Sequence, residues 1–223
     1  MKKIVAVIPI RKGSQRVKNK NFRKFSNKNL LIYKILTLKK IRYLDDIIVN
    51  TDSDKAISIA KKLRVNFFRR EDYFASSKCT NSDFWQNIAS TTTSKYILLT
   101  HCTSPLVKVK TYEKIISTFF YKEREKFNSL NTVNEVKDYL FFKHLPLNFK
   151  LKKVPNSQNL TDIVKYNSAI SILRTDYMKK NKTVFGNKPF FYKLDQFESH
   201  DINTEYDFKF AEYLFKTNKF DLL

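Results

Sequence analysis

A chain of 223 residues with a formal net charge of +22 sets the first limits on what this protein is. The length suits one domain with a sizeable core, and 42% hydrophobic with 15% aromatic residues exclude a disordered chain. No apolar stretch approaches the roughly 20 residues of a membrane span, and the apolar run at the N terminus has the wrong flank for a signal peptide. We therefore expect a cytoplasmic protein without a membrane partner.

The charge and the cysteines bear on partners and redox state. Alone, a charge of +22 would favour a polyanion such as nucleic acid. The lysines, however, are scattered along every segment, which indicates compositional bias together with a preference for anionic substrates and argues against nucleic acid. Cys79 and Cys102 lack the spacing of a metal motif, so we expect two reduced thiols.

The first half of the chain alternates predicted strands and helices. Residues 4–8 are apolar and β-branched without polar alternation, which predicts a strand buried on both faces. Apolar residues at helical spacing predict an amphipathic helix over 29–42, with Lys34 on its polar face. Ser53 is a candidate N-cap for a helix that ends near Leu63. Further strands are predicted at 47–49, 65–68 and 96–99, and further helices at 82–89 and 110–121.

This alternation predicts an α/β fold with a mostly parallel sheet, whose ligands bind beyond the carboxyl ends of the strands. Later strands are predicted at 129–133, 139–142, 168–173 and 190–194. A capping box from Thr204 to Asp207 predicts the start of a closing helix. Residues 135–166 lack a helical period and contain two prolines, so we expect them to leave the core sheet within a single domain of residues 1–223.

The loop after the first strand has the composition of a phosphate-binding loop. It contains Gly13, one of only two glycines in the chain, among five basic residues, Arg11, Lys12, Arg16, Lys18 and Lys20. Glycine permits a tight turn or close backbone approach, and basic side chains with free amides suit a polyphosphate. Taken alone, the loop also fits a lysine-rich turn on a lysine-rich surface.

This loop resembles the signature of the CMP-sugar synthetases, cytidylyltransferases that activate sialic acid and related acidic sugars. The family pattern, approximately I-P-A-R-G-G-S-K-R-I-P-G-K-N, aligns without a gap, although Lys12, Gln15 and Lys18-Asn19 depart from it. The resemblance implies a three-layer, Rossmann-like nucleotidyltransferase fold. It also implies nucleotide contacts from Arg11, Gly13, Ser14, Arg16, Lys20 and Asn21, with Arg11 and Lys20 acting in catalysis.

Asp201 and Asn203 are the candidate metal ligands. Their segment resembles D-I-D-T-E-E-D-F of the same family, in which both acids serve Mg²⁺ and the first corresponds to a catalytic Asp201. In an extended segment the two side chains point to the same side. Asn203 replaces an acid, so an amide oxygen would stand in for a carboxylate. Without the resemblance, an aspartate before a helix is more often a cap or a turn former.

Arg70 and Ser82 are the candidates for recognising the base. The segment after Arg70 resembles R-P-x-x-L-A, whose arginine and a later serine recognise cytosine. That serine aligns with Ser82 if one residue is inserted and with Asn81 if none is; we prefer Ser82 because the aspartate after it restores a common pair. The alternative for Arg70 is a surface pair with Glu71.

Two further segments resemble the contacts of the family with its sugar. Residues 100–107 resemble L-Q-P-T-S-P-L-R, and residues 157–170 resemble R-Q-D-L-P followed by N-G-A-I. The implied sugar contacts are His101, Thr103, Ser104, Gln158 and Asn167. Val107 and Ser157 replace two arginines, and Ser168 replaces a glycine. Protonated near neutral pH, His101 would partly replace an arginine, whereas the alternative for a lone histidine is a core or capping role.

Five motifs in the family order predict an enzyme that transfers CMP from CTP to an acidic 2-keto sugar, of the nonulosonate or sialic acid type, with Mg²⁺ and release of pyrophosphate. In the family the excursion pairs two subunits, which implies a homodimer. Two alternatives remain open. One is a CTP-dependent transferase with another acceptor, and the other is a basic nucleic-acid-binding or scaffold protein on a degenerate transferase fold.

Overall fold

The computed structural model describes residues 3–13, 16–161 and 163–217, and its centre is a seven-stranded sheet. The sheet contains β1 (Ile4–Ile10), β2 (Asp46–Thr51), β3 (Asn66–Arg69), β4 (Tyr96–Thr100), β5 (Ser129–Val136), β8 (Ile163–Arg174) and β9 (Pro189–Lys193), while β6 (Phe141–Phe142) and β7 (Leu145–Pro146) pair separately. The helices are α1 (Leu30–Leu38), α2 (Asp54–Lys62), α3 (Asp72–Ala75), α4 (Asn81–Ala89), α5 (Val109–Arg124), α6 (Thr175–Asn181) and α7 (Glu205–Lys216), with a short 3-10 helix at Ser157–Asn159.

The sheet confirms the predicted α/β class. Its strand order is β3-β2-β1-β4-β8-β5-β9, and every neighbouring pair is parallel except the two that involve β8. The carboxyl ends of β1, β2 and β4 therefore meet at one edge, where sheets of this kind bind ligands. The opening loop leaves β1 at that edge.

Strand β1 is buried on both faces because its alternate side chains enter two cores. Ile4, Ala6 and Ile8 pack in the larger core with α1, α5 and α7, whereas Val5 and Val7 pack in the second core with α4 and α6. Burying each of these larger side chains contributes about 1.5–3 kcal/mol relative to exposure. Helices on both faces of the sheet give the predicted three layers.

Helix α1 forms as predicted, but the placement of Lys34 on a polar face is wrong. Asn29 caps the helix by accepting a hydrogen bond from the Ile32 N–H. Lys34 is buried, and its ammonium donates to the Ser104 carbonyl oxygen (2.8 Å) and to the Tyr112 hydroxyl (2.7 Å). Helical spacing cannot reveal this, because α1 is covered around most of its circumference. A buried ammonium is tolerated where oxygen atoms accept its hydrogen bonds.

The excursion from the core sheet is real but narrower than the predicted 135–166. Val136 still pairs with Ile163 across β5 and β8, so only residues 137–161 of the described chain leave the sheet. They contain the β6–β7 hairpin. This segment exposes seven large apolar side chains: Tyr139, Phe141, Phe142, Leu145, Leu147, Leu151 and Val154. The assignment of the whole chain to one domain stays a prediction.

Local signals for the other elements were mostly correct. Ser53 caps α2, and Thr204 and Asp207 form the predicted capping box of α7. The short helices α3 and α6 were not predicted, since neither is long enough to show a helical apolar period. Cys79 and Cys102 are free thiols, as expected. Within the described ranges, no helix has the length and apolarity needed to cross a membrane.

Candidate active site

The opening loop is held at the sheet edge by a glycine and by a neighbouring strand end. Gly13 has a φ of +77°, a conformation that strains any residue with a Cβ. The Lys12 N–H donates to an Asp52 carboxylate oxygen (2.8 Å) just beyond β2. The sequence therefore needs its rare glycine here. Ser14 lies outside the described residues, and its predicted nucleotide contact stays a prediction.

Residues after the loop pack on the closing helix, although they are far away in the sequence. Arg23 forms an ion pair with Glu205 (2.7 Å) and lies over the Phe208 ring, 4.3 Å from its centroid. The Ser26 N–H donates to a Glu212 carboxylate oxygen (2.7 Å). These contacts connect the opening loop with the segment that precedes α7.

Lys20 is thereby brought to the candidate metal ligands. Its ammonium donates to the Ile202 carbonyl oxygen (2.5 Å), and the Ile202 N–H donates to the Thr103 carbonyl oxygen (2.8 Å). Because both its carbonyl oxygen and its N–H are hydrogen-bonded, the Ile202 backbone fixes the positions of Asp201 and Asn203 on either side of it. The Asn203 side-chain amide donates to an Asp201 carboxylate oxygen (2.6 Å), so both side chains do point to the same side.

The charge around Lys20 favours an anion. Burial lowers the pKa of Lys20 below its ordinary value, and Arg16 and Arg11 lower it further, while Asp201 acts in the opposite direction. A partly dehydrated ammonium beside two guanidinium groups is an unfavourable arrangement on its own. A polyanion bound among the three cations would relieve it.

These cations line what we call the basic cavity, of about 530 Å³, whose wall includes Arg11, Arg16, Lys20, Asn21, Asn81, His101 and Thr103. Asn21 is buried, and no described residue forms a hydrogen bond with its side-chain oxygen. A buried acceptor without a partner costs about 1–3 kcal/mol. The cavity thus combines three cations with an acceptor that a hydroxyl group of a ligand would satisfy.

An adjoining cavity of about 250 Å³, the Arg70 cavity, shares Pro9, Arg11, Asn81 and His101 with the basic cavity and adds Arg70, Phe74, Ala75, Ser76, Cys79 and Phe84. Arg70 is only 4% exposed, so the alternative of a surface pair with Glu71 is wrong. Its guanidinium donates to the Ile10 carbonyl oxygen and to the Asn50 carbonyl oxygen (3.3 Å), and its Nε has no hydrogen-bond partner among the described residues. The Phe84 ring lies 5.3 Å from the guanidinium.

The structure favours Asn81 over Ser82 as the second residue of the Arg70 cavity. Asn81 lines both adjoining cavities, whereas Ser82 lies exposed on the first turn of α4 and lines neither. Thr80 caps this helix by accepting a hydrogen bond from Asp83, so the direction of the first turn is fixed. The alignment without an inserted residue is therefore the one that the geometry supports.

A third cavity, the polar cavity, has a volume of about 470 Å³ and lies on the side of Asp201. It is lined by Asn134, Lys165, Tyr166, Asn167, Ser168, Gln196, Ser199, His200, Asp201, Asn203 and Asp207. Asn167 is nearly buried, accepts from the Thr132 hydroxyl (2.6 Å) and donates to the Asn134 side-chain oxygen (2.8 Å). Asn167 therefore stands at the wall in a fixed orientation.

His101 connects the three cavities. It lines the first two, and its Nδ1 donates to the Ser168 carbonyl oxygen (2.8 Å) at the wall of the polar cavity. Burial lowers the pKa of His101 below its ordinary value. The lowered pKa argues against the expectation that a protonated His101 replaces an arginine, and in the neutral ring the donation from Nδ1 leaves Nε2 as an acceptor.

Two predicted sugar contacts do not reach these cavities. Ser104 is buried away from them, with its carbonyl oxygen bound by Lys34. Gln158 is exposed in the short 3-10 helix of the excursion. Thr103, in contrast, lies in the wall of the basic cavity. The spacing between Gln158 and Asn167 matches the family, but spacing does not show that residues 137–161 leave the sheet and take Gln158 with them.

Asp201 and Asn203 could offer side-chain oxygens to a hard cation. The described residues contain no group of three or more His, Cys, Asp or Glu side chains that could hold a metal. Mg²⁺ suits such a sparse site, since it retains waters and takes one or two protein carboxylates together with phosphate oxygens of a substrate. The donors present therefore fit Mg²⁺ bound jointly with a nucleotide.

Ser168 carries backbone strain that glycine would relieve. Its φ is +60°, and a non-glycine residue in this region costs about 1–2 kcal/mol. We expect Ser168→Gly to raise the melting temperature by about 2 °C, since the relief exceeds the added entropy of the unfolded glycine. Thermal unfolding followed by circular dichroism measures this. Ser168→Ala keeps the strain, so an equal gain in that variant would contradict the explanation.

The fold and the three cavities define a nucleotidyltransferase of the α/β class. A family model described as Cytidylyltransferase matches residues 5–222, and the chain belongs to this family. The flagellin modification protein B of Campylobacter coli is 26% identical over 232 residues, which cover 97% of this chain and 96% of that protein. CMP-N,N'-diacetyllegionaminic acid synthase of Campylobacter jejuni is also 26% identical, with 96% and 95% covered. N-acylneuraminate cytidylyltransferase of Escherichia coli is 27% identical over 94% of this chain and 51% of its own length.

Solved structures give the same fold. CMP:2-keto-3-deoxy-manno-octonic acid synthetase, complexed with CTP, superposes with a TM-score of 0.72 at 11% identity, over 97% of this chain and 99% of that one. A 4-diphosphocytidyl-2C-methyl-D-erythritol synthase from Anaerococcus prevotii gives a TM-score of 0.71 at 14% identity, with 96% of each chain covered. The predicted fold class and the predicted cytidylyltransferase family are confirmed.

Proposed function

We propose that this protein transfers the cytidylyl group of CTP to the anomeric hydroxyl of an acidic 2-keto sugar and releases pyrophosphate. The observation that carries the proposal is the hydrogen bond from Lys20 to Ile202, which joins the basic cavity to the oxygen pair of Asp201 and Asn203. The names of two curated relatives, a diacetyllegionaminic acid synthase and an N-acylneuraminate cytidylyltransferase, support an acidic nonulosonate as the acceptor.

Each cavity has a part in this reaction. The basic cavity would hold the triphosphate, the Arg70 cavity the cytosine, and the polar cavity the sugar. The anomeric hydroxyl oxygen bonds to the α-phosphorus and its proton is released to water, while the bond from that phosphorus to the bridging oxygen breaks and pyrophosphate leaves. Arg11, Arg16 and Lys20 are placed to stabilise charge on the phosphate oxygens and the leaving group.

Mg²⁺ is the proposed cofactor, with Asp201 and Asn203 as its protein ligands. When bound, the ion would neutralise charge on the phosphates of CTP. Lys20 and Thr103 hold the backbone between the two proposed ligands, which keeps the two side chains next to each other. The chain therefore orients the two proposed ligands. Asp201 gives the site one negative charge, whereas two carboxylates would give it two.

Asn203→Asp tests this ligand pair. Two adjacent carboxylates repel each other without a cation, so we expect a lower melting temperature in EDTA than wild type and a several-fold lower Mg²⁺ concentration for half-maximal activity. Thermal unfolding with and without Mg²⁺ and a metal titration of pyrophosphate release measure both effects. Unchanged values in both would show that residue 203 does not face the ion.

We also propose that two chains pair through the excursion. The apolar side chains exposed by residues 137–161 form a surface that monomeric proteins normally cover, and a second copy of the chain would cover it. Gln158 lies on this segment and would then be offered to the partner's cleft. Light scattering should give a dimer mass that Phe142→Glu converts to a monomer mass. A monomer mass for wild type at micromolar concentration would contradict pairing.

Pyrophosphate release from CTP, measured with a panel of acceptors, tests the proposed reaction. The panel contains N-acetylneuraminate, a diamino nonulosonate, 3-deoxy-octulosonate and 2C-methylerythritol 4-phosphate. We expect release with acidic sugars, faster with the diamino nonulosonate than with N-acetylneuraminate, because His101, Val107 and Ser157 change the polar contacts on the acceptor side. Release with the alcohol phosphate alone would assign another acceptor. No release, together with salt-sensitive binding of nucleic acid, would favour a binding protein. A cytoplasmic location stays a prediction.

A further inference from the structure

The proposed acceptor carries its charge next to its nucleophile. In a 2-keto sugar acid in its ring form, the anomeric carbon bears both the attacking hydroxyl and the carboxylate. A carboxylate so placed must therefore lie close to the α-phosphorus and to the Asp201 oxygens. The residue that binds it has to be a cation or a donor at the wall of the polar cavity, and it must offset the nearby negative charge of Asp201.

Lys165 is the cation that this wall provides. The polar cavity is lined by no other described lysine or arginine. Its histidine, His200, has Nε2 engaged with the Asp207 carbonyl oxygen (3.0 Å). The two arginines of the family pattern are absent from this chain. Val107 takes the place of one and is fully buried, and Ser157 takes the place of the other and lies on the excursion. The binding of an acidic acceptor thus has one charged candidate in the cavity.

The position of Lys165 on the sheet directs it into the cavity. Lys165 pairs with Asn134 across β8 and β5, and both line the same wall. Asn167 is two residues further along, so its side chain and that of Lys165 point to one face of the strand. The hydrogen bond between Asn167 and Asn134 (2.8 Å) keeps that part of the wall rigid.

The charge of Lys165 is available, because Glu135 and Asp207 have other partners. Glu135, the residue after Asn134, forms ion pairs with Lys193 (3.0 Å) and Lys137 (3.2 Å). Asp207 accepts hydrogen bonds from two backbone N–H groups in the capping box. None of the ion pairs found among the described residues includes Lys165, which is exposed on its strand.

We propose that Lys165 binds the carboxylate of the acceptor and so sets the preference for acidic sugars, an inference that rests on the function proposed above. Lys165 acts as a point charge with three rotating donors, and this compensates for the absence of the forked arginines. Because it contacts the acceptor and not the nucleotide, its loss should change acceptor binding and leave CTP binding unchanged.

Lys165→Gln, with Lys165→Arg and the exposed α5 variant Lys114→Gln as controls, tests this proposal. Using the best acid of the panel, we expect Lys165→Gln to raise the acceptor KM at least about tenfold with the KM for CTP within twofold, Lys165→Arg to retain most of the affinity, and Lys114→Gln to match wild type. Replacing the acceptor carboxylate by a carboxamide should raise the acceptor KM strongly in wild type and only slightly in Lys165→Gln.

The outcomes separate this inference from the proposed function. Wild-type turnover of an acid with an unchanged acceptor KM in Lys165→Gln would overturn the role of Lys165 and leave the reaction intact. An equal penalty from the carboxamide in wild type and in Lys165→Gln would also overturn it. Release of pyrophosphate with none of the acids would overturn the proposed function and this inference with it.

Discussion

Asp201→Ala is expected to lower turnover at least about a thousandfold while the fold stays intact. A thousandfold loss corresponds to about 4 kcal/mol of transition-state stabilisation, within the several kcal/mol that a bound metal supplies to a phosphoryl centre. The described side-chain partner of Asp201 is Asn203, so the substitution removes little structural support. Steady-state rates of pyrophosphate release, with circular dichroism as a check on folding, measure the effect.

A matched control variant distinguishes the loss of a metal ligand from the loss of any acidic side chain. Glu113, which is on α5, forms a surface ion pair with Arg42 away from the three cavities. Such pairs contribute about 0–1 kcal/mol to stability. Glu113→Ala should therefore keep turnover within twofold of wild type. If Asp201→Ala retained wild-type turnover at saturating Mg²⁺, the carboxylate would have no role at the reacting phosphorus.

Lys20→Met is expected to lower kcat/KM for CTP about a hundredfold, a loss of about 2.7 kcal/mol. Lys20 lies in the wall of the basic cavity and also holds the Ile202 carbonyl, so methionine removes a charge and releases the metal-ligand segment. Lys24, exposed four residues later, lines none of the cavities and provides the control, since Lys24→Met should behave like wild type.

Arg11 gives an independent view of the same cavity. It lines both the basic and the Arg70 cavities, so Arg11→Ala should lower turnover at least about tenfold, which is about 1.4 kcal/mol. Equilibrium binding of CTP without metal should weaken in the Arg11 and Lys20 variants. Wild-type rates in both variants would remove the opening loop from the site.

Much of the fold and the nucleotide side of the site could be predicted because their signals are local. The apolar run of β1, the cap at Ser53 and the capping box of α7 are each complete within a few residues. The basic loop is also contiguous, and the parallel strands bring its end to the ligand edge. Local pattern and tertiary packing agree at these places.

The acceptor side could not be predicted in the same way, because it depends on the register between distant strands. Lys165 enters the polar cavity only through its pairing with Asn134 and the irregular pairing further along β8. The burial of Lys34 depends on how α1 is covered, and the lowered pKa of His101 depends on the chain that packs around its ring. Asn81 required the direction of the first turn of α4. None of these is encoded in residue spacing.

The central claim is transfer of the α-phosphorus of CTP to an acidic sugar, and labelled CTP tests it most directly. The protein is incubated with Mg²⁺, a diamino nonulosonate and CTP radiolabelled at the α-phosphate, and the products are separated by anion-exchange chromatography. We predict label in a sugar-linked CMP product, formed in a one-to-one ratio with pyrophosphate and absent with Asp201→Ala. Label that stays in CTP, or appears only in free CMP with every acidic sugar tried, would contradict the claim.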